Sequence, residues 1–470
     1  MLRSQISEEQ STYAPPLHGL NLRESEHNLQ PGEARLMTNC EYYGGVRIRR
    51  GTQRLTPGSL GTAGGIAGHK YYYGGSTPQK ARLIAYLDRI SRISDTGIET
   101  ILTTGMPSGK DTYFTTWPIT DCAYIVNTSA TLKKYDGNTL TTITGTNIPS
   151  ARAGVVPVLD RLLAITPDGI ERTDPRVDNI WSKNSSWATF RPQRPGPFTA
   201  LHPYTLRGLD TLYDGAIALQ ERAYYVITGT DYGTDVTSLV ASVNEDSSIK
   251  LLDPTVGTGS PDSVCTVPGI GMFWFTSDLN VFWLPEGTLV GRYVGDKLQS
   301  TVATMGIEST NTAALRRVWM TYFDHILMLG IPVGSNTYST IQFWMDMRHL
   351  REGQNVVWYG PMTGQSLGNV WVENQQGDNT LYGIEGNLTN GVFVYQLRVP
   401  ARFTDAVGTA DVPVSMVYQT MFKDFGIPSR EKYIQAVHLD LNTFAGTSTL
   451  DLLDLDGVLA SDIPIETISD

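Results

Sequence analysis

Residues 271–284 read Gly271-Met272-Phe273-Trp274-Phe275-Thr276-Ser277-Asp278-Leu279-Asn280-Val281-Phe282-Trp283-Leu284: a short apolar strand, a polar turn and a second short apolar strand. Aromatic and β-branched side chains suit the packed surface of a sheet, and a polar turn of this length joins antiparallel neighbours. The same grammar recurs in both directions. Ala123-Tyr124-Ile125-Val126 leads through a polar turn into Thr131–Tyr135 and closes on Asp136-Gly137, a strong hairpin signal. Arg161–Ile165 runs into Asp168-Gly169 and resumes at Ile170, and the pattern returns at His325–Ile331, at Thr380–Ile384 and at Asn390-Gly391 before Val392–Tyr395. Helical periodicity is nearly absent; the best stretch, Thr312 to Tyr322, holds one or two turns, and its end reads equally well as strand.

The first strongly apolar strand of each unit lies near Leu83, Ala123, Leu162, Tyr224, Met272, Ile326 and Leu381, a spacing of about 40 to 60 residues. That spacing suits four-stranded blades with loop insertions, and radial closure would leave only short, protected strand edges. The expected fold is therefore all-β: a β-propeller with long inter-blade insertions and a small C-terminal β-sandwich. One large multi-sheet sandwich is the competing architecture. Residues 1–55 read as an N-terminal arm with the first strands, 56–400 as the propeller, and 401–470 as a sandwich or as strands that close the last blade. Two excursions interrupt the rhythm, near 173–203 with its Arg191-Pro192-Gln193-Arg194-Pro195-Gly196-Pro197 run, and near 229–262, rich in Gly, Ser and Asp. The first is too rich in proline for strand pairing, and both are candidate subunit contacts.

Composition supports this reading. The 470 residues exceed the roughly 250 to 300 at which one core stops growing, so several domains or a radial repeat are expected. Only 18% of residues are charged, while 46 Gly, 23 Tyr and 9 Trp suit short strands with many turns. A net charge of −11 argues against gripping a phosphate backbone. Three distant cysteines, Cys40, Cys122 and Cys265, form neither a disulfide framework nor a metal-ligand spacing. No apolar h-region follows the first basic residue, and no apolar run approaches the roughly 18 residues of a membrane span, so a soluble, non-secreted chain is expected.

Catalytic and metal signatures are missing. There is no phosphate loop, nucleophile elbow or His-Glu-x-x-His pair. Ser94-Asp95-Thr96-Gly97 has the wrong register for the aspartate turn of sialidase propellers, and Asp451, Asp454, Asp456 and Gly457 read as a strand face ending in a turn rather than a calcium loop. Carboxylate pairs contributed by different blades leave no trace in spacing, so on this point the sequence is silent. Arg47 and Arg49 fit the polar face of a strand through Val46 and Ile48, a placement compatible with a subunit interface. No enzyme activity, cofactor or metal is expected.

The most specific feature lies near the N-terminus: His18-Gly19-Leu20-Asn21-Leu22-Arg23-Glu24, Leu29-Gln30-Pro31-Gly32-Glu33-Ala34-Arg35, Met37-Thr38-Asn39-Cys40, Gly44-Gly45-Val46-Arg47 and Arg50-Gly51. This stretch resembles the opening of virion propeller proteins that include the tail nozzle, or tail tubular B, proteins of short-tailed bacteriophages. Pro268–Leu284 and Tyr418–Gly426, followed by Ser429 and Lys432, add to the resemblance. It implies a structural protein of the virion tail, assembled in the host cytoplasm: a ring homo-oligomer, six-fold by analogy, attached below portal and adaptor proteins. Such a ring would touch other tail or fibre proteins and pass double-stranded DNA without sequence-specific binding. Two alternatives remain open, a propeller that binds host receptor or glycan and a plug that stabilises packaged DNA at the head-tail junction. The assembly or turn positions implied are Gly19, Asn21, Pro31, Gly32, Glu33, Asn39, Arg47, Arg50 and Gly51. Locally, Gly19, Gly32 and Gly51 can serve turns needing positive φ, and Pro31 presets one of them.

Overall fold

The computed structural model describes residues 18–420, except 25–27, 43–45, 62–66, 74–78, 108–110, 129, 152–153, 159, 182–189, 208–211, 229–248, 299–311, 352–355, 376–377 and 387–390, together with 447–449 and 467–469. Seven antiparallel sheets follow one another along it. Blade 1 holds Ala67–Tyr73, Gln79–Tyr86, Arg89–Ile93 and Glu99–Thr103; blade 2 holds Thr112–Trp117, Cys122–Asn127, Lys133–Tyr135 and Leu140–Thr142. Blade 3 holds Val155–Val158, Arg161–Thr166 and Gly169–Arg172; blade 4 holds Ala200–Arg207, Leu212–Gln220, Ala223–Thr228 and Ile249–Asp253. Blade 5 holds Cys265–Val267, Gly271–Phe275, Val281–Pro285 and Arg292–Tyr293; blade 6 holds Trp319–Phe323, Ile326–Ile331, Ile341–Asp346 and Trp358–Met362. Blade 7 holds Leu367–Gln375, Asp378–Glu385 and Val394–Leu397, and its fourth strand is Gln53–Arg54.

Packing shows the radial arrangement. The first strands of blades 1 to 4 run side by side, as do those of blades 5 to 7; blades 4 and 5 meet through a shared apolar cluster, and the first strand of blade 7 lies against that of blade 1, which closes the ring. Apolar clusters fill the seams. Leu83, Ala85 and Ile90 of blade 1 meet Ala123 and Ile125 of blade 2. Trp117, Tyr124 and Val126 meet Val155, Leu162 and Ala164, and Leu163 and Ile165 meet Ala216 and Tyr225. At the closing seam, Ile84, Tyr86 and Ile93 meet Trp371, Tyr382 and Ile384. The protein is a seven-bladed β-propeller.

This geometry explains why Gly271–Phe275 is an unbroken apolar run and not an alternating one. Met272 and Trp274 point to the blade 4 side and join Tyr224 and Leu219. Phe273 and Phe275 point the other way, into the cluster with Leu327 and Phe343 of blade 6. A strand covered on both faces needs apolar residues at every position, and all five are buried. Trp274 lies 4.8 Å from Phe282 and 5.4 Å from Tyr224, centroid to centroid. Burying a side chain of this size is worth about 1.5–3 kcal/mol.

The seven markers fall one to a blade, six on second strands; Tyr224 lies on the third strand of blade 4, because Leu212–Gln220 precedes it. The expected helical stretch resolves into a 3-10 turn, Thr312–Arg317, followed by the strand Trp319–Phe323.

Both excursions are shorter than the sequence suggests. The first ends inside the first strand of blade 4, where Pro203 pairs with Ala216. Proline is tolerated because the inner strand of a blade has one edge without a ladder partner, and Pro157 occupies the equivalent strand of blade 3. Phe190, from the same excursion, exchanges both backbone hydrogen bonds with Ile170 and stands in for a fourth strand of blade 3. Residues 249–253 of the second excursion are the outer strand of blade 4, while 229–248 lie outside the described residues.

The boundary strands also differ from expectation. Gln53–Arg54, assigned above to the arm, completes blade 7, so the fourth strand of that blade comes from the N-terminal side and not from residues after 400. Thr404–Val407 and Ala410–Pro413 form a hairpin, and Val417–Thr420 pairs with Glu33–Thr38, which in turn carries Gly19–Leu20 on its other edge. Thr447–Thr449 pairs with Thr467–Ser469. The acidic cluster at Asp451, Asp454, Asp456 and Gly457 lies outside the described residues. No helix among the described residues is long and apolar enough to cross a membrane.

Candidate functional site

The motif residues converge on one flank of blades 6 and 7. Gln30 to Glu33 forms a turn closed by the Glu33 N–H on the Gln30 carbonyl at 2.9 Å, with Pro31 and Gly32 (φ +86°) at its centre. Pro there presets one φ and Gly supplies the positive one, the pattern of a type II turn. The turn aims Glu33 inward. Its Oε2 accepts from Asn21 Nδ2 and from the Gln30 N–H, each at 3.0 Å, and its Oε1 meets Lys297 Nζ at 2.9 Å. Burial pushes the Glu33 carboxyl up, but these three donors outweigh it and hold the group below its usual range. Gly19 (φ +68°) passes so close to blade 6 that a Cβ would lie 2.4 Å from the Trp358 carbonyl oxygen.

A second group ties the arm to the hairpin 404–413. Asn39 has φ +54°, which asparagine tolerates better than most residues. Its Oδ1 accepts from Arg49 Nε at 2.9 Å and from the Thr363 N–H at 2.8 Å, and its Nδ2 donates to the Ser415 carbonyl at 2.8 Å. Arg49 closes a two-pronged ion pair with Asp405, one prong at 3.0 Å, and both side chains are nearly inaccessible. Arg49 is thus the centre of a buried tie and not, as the strand pattern suggested, part of a polar face. Arg47 does stay half-exposed, pairing with Glu41 at 2.9 Å; Arg398 takes the other Glu41 oxygen at 3.0 Å, beneath Trp344. Burial draws Arg398 below its usual range, opposed by Glu41 and Asp324. Arg50 contributes its backbone carbonyl, which accepts from Arg49 Nη1 at 3.2 Å.

Gly51 departs from expectation. It is not among the glycines with positive φ; what it needs is room, since a Cβ would lie 2.1 Å from the Thr404 carbonyl oxygen. Gly44 and Gly45 lie outside the described residues. Cys40 sits in the same flank, fully buried, and burial pushes its thiol up to about 12. The partners Lys297, Thr363, Arg398, Asp405 and Ser415 carry no local signal that would have singled them out; they are brought in by the closing of the ring.

A different polar cluster lies inside the propeller. Asp111 precedes the first strand of blade 2, Asp262 that of blade 5, and Arg316 and Arg317 that of blade 6. All therefore sit at the same mouth of the channel. Arg316 Nε lies 3.4 Å and Arg317 Nε 3.8 Å from the Asp111 carboxylate, contacts that reach across from the far side of the ring. Asn369 of blade 7 hydrogen-bonds Asp262, and Tyr338 lies under Arg317 with its ring centre 4.6 Å away. Asp262 is only half-buried by area, yet it stands inside the ring of blades. That desolvation, with the charge of Asp111, pushes its carboxyl up to about 7. Tyr113 is pushed up likewise, by burial and then by the charges of Asp262 and Asp111. Among the described residues no group of three or more His, Cys, Asp or Glu is placed to hold a metal ion.

No family model matches the chain, and no curated protein matches it. Among solved structures it is similar to YCF48 bound to a D1 peptide, with 9% identity over 77% of this chain and 97% of that one, TM-score 0.43. YCF48 from Cyanidioschyzon merolae gives 9% identity, 74% and 99% coverage and a TM-score of 0.43. A selenomethionine-substituted virginiamycin B lyase from Staphylococcus aureus gives 10%, 74%, 98% and 0.40. Likenesses this distant carry nothing about function, and the propeller assignment rests on the closed ring of seven sheets described above.

Proposed function

We propose that this chain is a structural component of a bacteriophage tail, a homo-oligomeric ring with the propeller body in its wall, attached below the portal and adaptor. The observation that supports this reading is the behaviour of the N-terminal stretch that resembles tail nozzle proteins. Among the described residues of 18–51, the side chains of Asn21, Glu33, Asn39, Glu41 and Arg49 tie the arm to itself, to the hairpin 404–413 and to the segments that follow blades 5, 6 and 7. A clamp of this kind stiffens a building block. The contacts across the propeller's own mouth favour a DNA path between copies of the protein and not along the axis of one propeller. Electron microscopy of the recombinant full chain and of virions tests the proposal. A ring with an axial lumen of duplex width, seated at the head-proximal end of the tail, is the expected result; a monodisperse monomer at high concentration, or a distal, radially projecting trimer, overturns it.

A further inference from the structure

We propose that a cavity between the inner strands of blades 3, 4 and 5 is a binding site for a primary ammonium group on a short aliphatic chain, received by Glu286. The cavity measures about 290 Å³, at the low end of the roughly 300–1,000 Å³ of small-ligand pockets. Pro157 and Val158 of blade 3, Pro203 and Tyr204 of blade 4, and Val267 and Pro268 of blade 5 form its walls. Val158 ends its strand, and Pro268 and Glu286 follow the first and third strands of blade 5. The cavity therefore lies on the face of the propeller opposite Asp111, Asp262 and the two arginines, which precede first strands. Thr266, Pro268 and Glu286 are exposed, so it opens to solvent on their side.

The lining selects a cation. Glu286 is its one charged residue, and the carboxylate has no hydrogen-bond or ion-pair partner among the described residues. A turn fixes its position: the Glu286 N–H donates to the Ile270 carbonyl at 2.9 Å, the Thr288 N–H donates to the Pro285 carbonyl at 3.1 Å, and Gly287 (φ +76°) supplies the positive φ. Tyr204 Oη donates to the same Pro285 carbonyl at 2.6 Å and pins blade 4 to this turn. The walls add acceptors. Leu162, the ladder partner of Pro157, turns its N–H to Thr173 Oγ1 at 3.0 Å and its carbonyl to the Thr173 N–H at 2.9 Å, away from Pro157. The Pro157 carbonyl therefore faces the free edge of the blade. Pro157, Pro203 and Pro268 bring apolar rings and no N–H. An ammonium has three donors and no acceptor, and its aliphatic chain suits the rings. An anion would meet repulsion from Glu286 instead, and among the described residues no group of three or more His, Cys, Asp or Glu is placed for a metal. The ammonium can come from a free alkylamine or from a lysine side chain of another protein. This assignment goes beyond the ring proposal and does not depend on it.

The test is a ligand-observed NMR titration of the full chain with n-butylammonium, n-butanol, butyrate and Nα-acetyl-L-lysine N-methylamide. The first is expected to bind at least about fivefold more tightly than n-butanol or butyrate, a modest factor because an exposed carboxylate gives a weak ion pair. The lysine derivative binding at least about fivefold more tightly than n-butylammonium would identify a protein side chain as the natural occupant, and equal or weaker binding a free amine; the ammonium site stands in both cases. Glu286→Gln, at an exposed turn, is expected to weaken n-butylammonium at least about fivefold and to leave n-butanol within about twofold, a split that a merely structural role would not produce. Glu221→Gln, in the exposed turn between the second and third strands of blade 4, should change neither. Butyrate or n-butanol binding as tightly as n-butylammonium, no saturable n-butylammonium binding, or full affinity in Glu286→Gln overturns the proposal. Circular dichroism of each variant separates loss of the site from loss of the fold.

Discussion

Replacing Arg49 by methionine should loosen one flank of the propeller before it unfolds the rest. The Arg49 side chain is 6% and the Asp405 side chain 4% exposed, and the guanidinium also donates to Asn39 Oδ1 and to the carbonyls of Arg50 and Thr363. An ordinary hydrogen bond contributes about 0.5–1.5 kcal/mol, but removing one member of a buried pair strands the other charge, at about 3–5 kcal/mol. Asn39 keeps its donor from the Thr363 N–H, so the stranded Asp405 carboxylate dominates. The expected loss is therefore about 3–5 kcal/mol for the contacts of the hairpin 404–413 with the arm. Hydrogen exchange should show it first as faster exchange over 404–420 and 46–54, with the seam between blades 2 and 3 unaffected. Denaturant unfolding followed by tryptophan fluorescence measures any global part. The double variant Arg49→Met/Asp405→Leu removes both charges and should recover at least half of the loss. A single variant that loses under about 1 kcal/mol and keeps full protection over 404–413 would refute the buried-tie reasoning.

Three further outcomes follow from the same geometry. Gly51→Ala should destabilise by about 1–3 kcal/mol or more, because the new Cβ meets the Thr404 carbonyl, a backbone atom with no rotamer to yield; Gly19→Ala should do the same beside Trp358, and wild-type melting of either variant would refute the close approach. At the Glu33 turn the folded pKa lies below the unfolded value of about 4.3, so its contribution is present above that pH and is lost as pH falls through the lower folded value. Glu33→Gln should remove this acid step in a pH titration of arm exchange, and an unchanged acid midpoint counts against it. At the closing seam, Arg82 of blade 1 meets the fully buried Glu373 of blade 7 at 2.6 Å, so Arg82→Met should cost about 3–5 kcal/mol in denaturant unfolding. A loss below about 1 kcal/mol would show that the seam is held by its apolar cluster alone.

The fold was legible where one strand's own chemistry decided the matter. Trp274 and Phe273, or Ile125 and Tyr124, need cover on both faces of their strands, and only stacked blades or sheets supply it. The turn at Pro31-Gly32 was legible for the same local reason, since φ preferences act within a few residues. Pro203 misled because proline excludes a strand only where its missing N–H is needed, and the inner edge of a blade does not need it. Arg49 misled because alternation along Val46–Ile48 says which face a side chain takes, not whether another segment will cover that face.

The clamp and the mouth lie beyond such reading. Arg49 and Asp405 are separated by 356 positions, and Asp111 meets arginines that lie on the far side of the ring. Sequence alone determined that the chain would be built from short, two-faced apolar strands in units repeated along its length, because hydrophobic burial and turn preferences act locally. Only the tertiary structure decided that the units close into one ring, that Gln53–Arg54 seals the last of them, and which charges face one another. Those outcomes depend on closing a ring, and closure brings together residues that share neither a strand nor a turn.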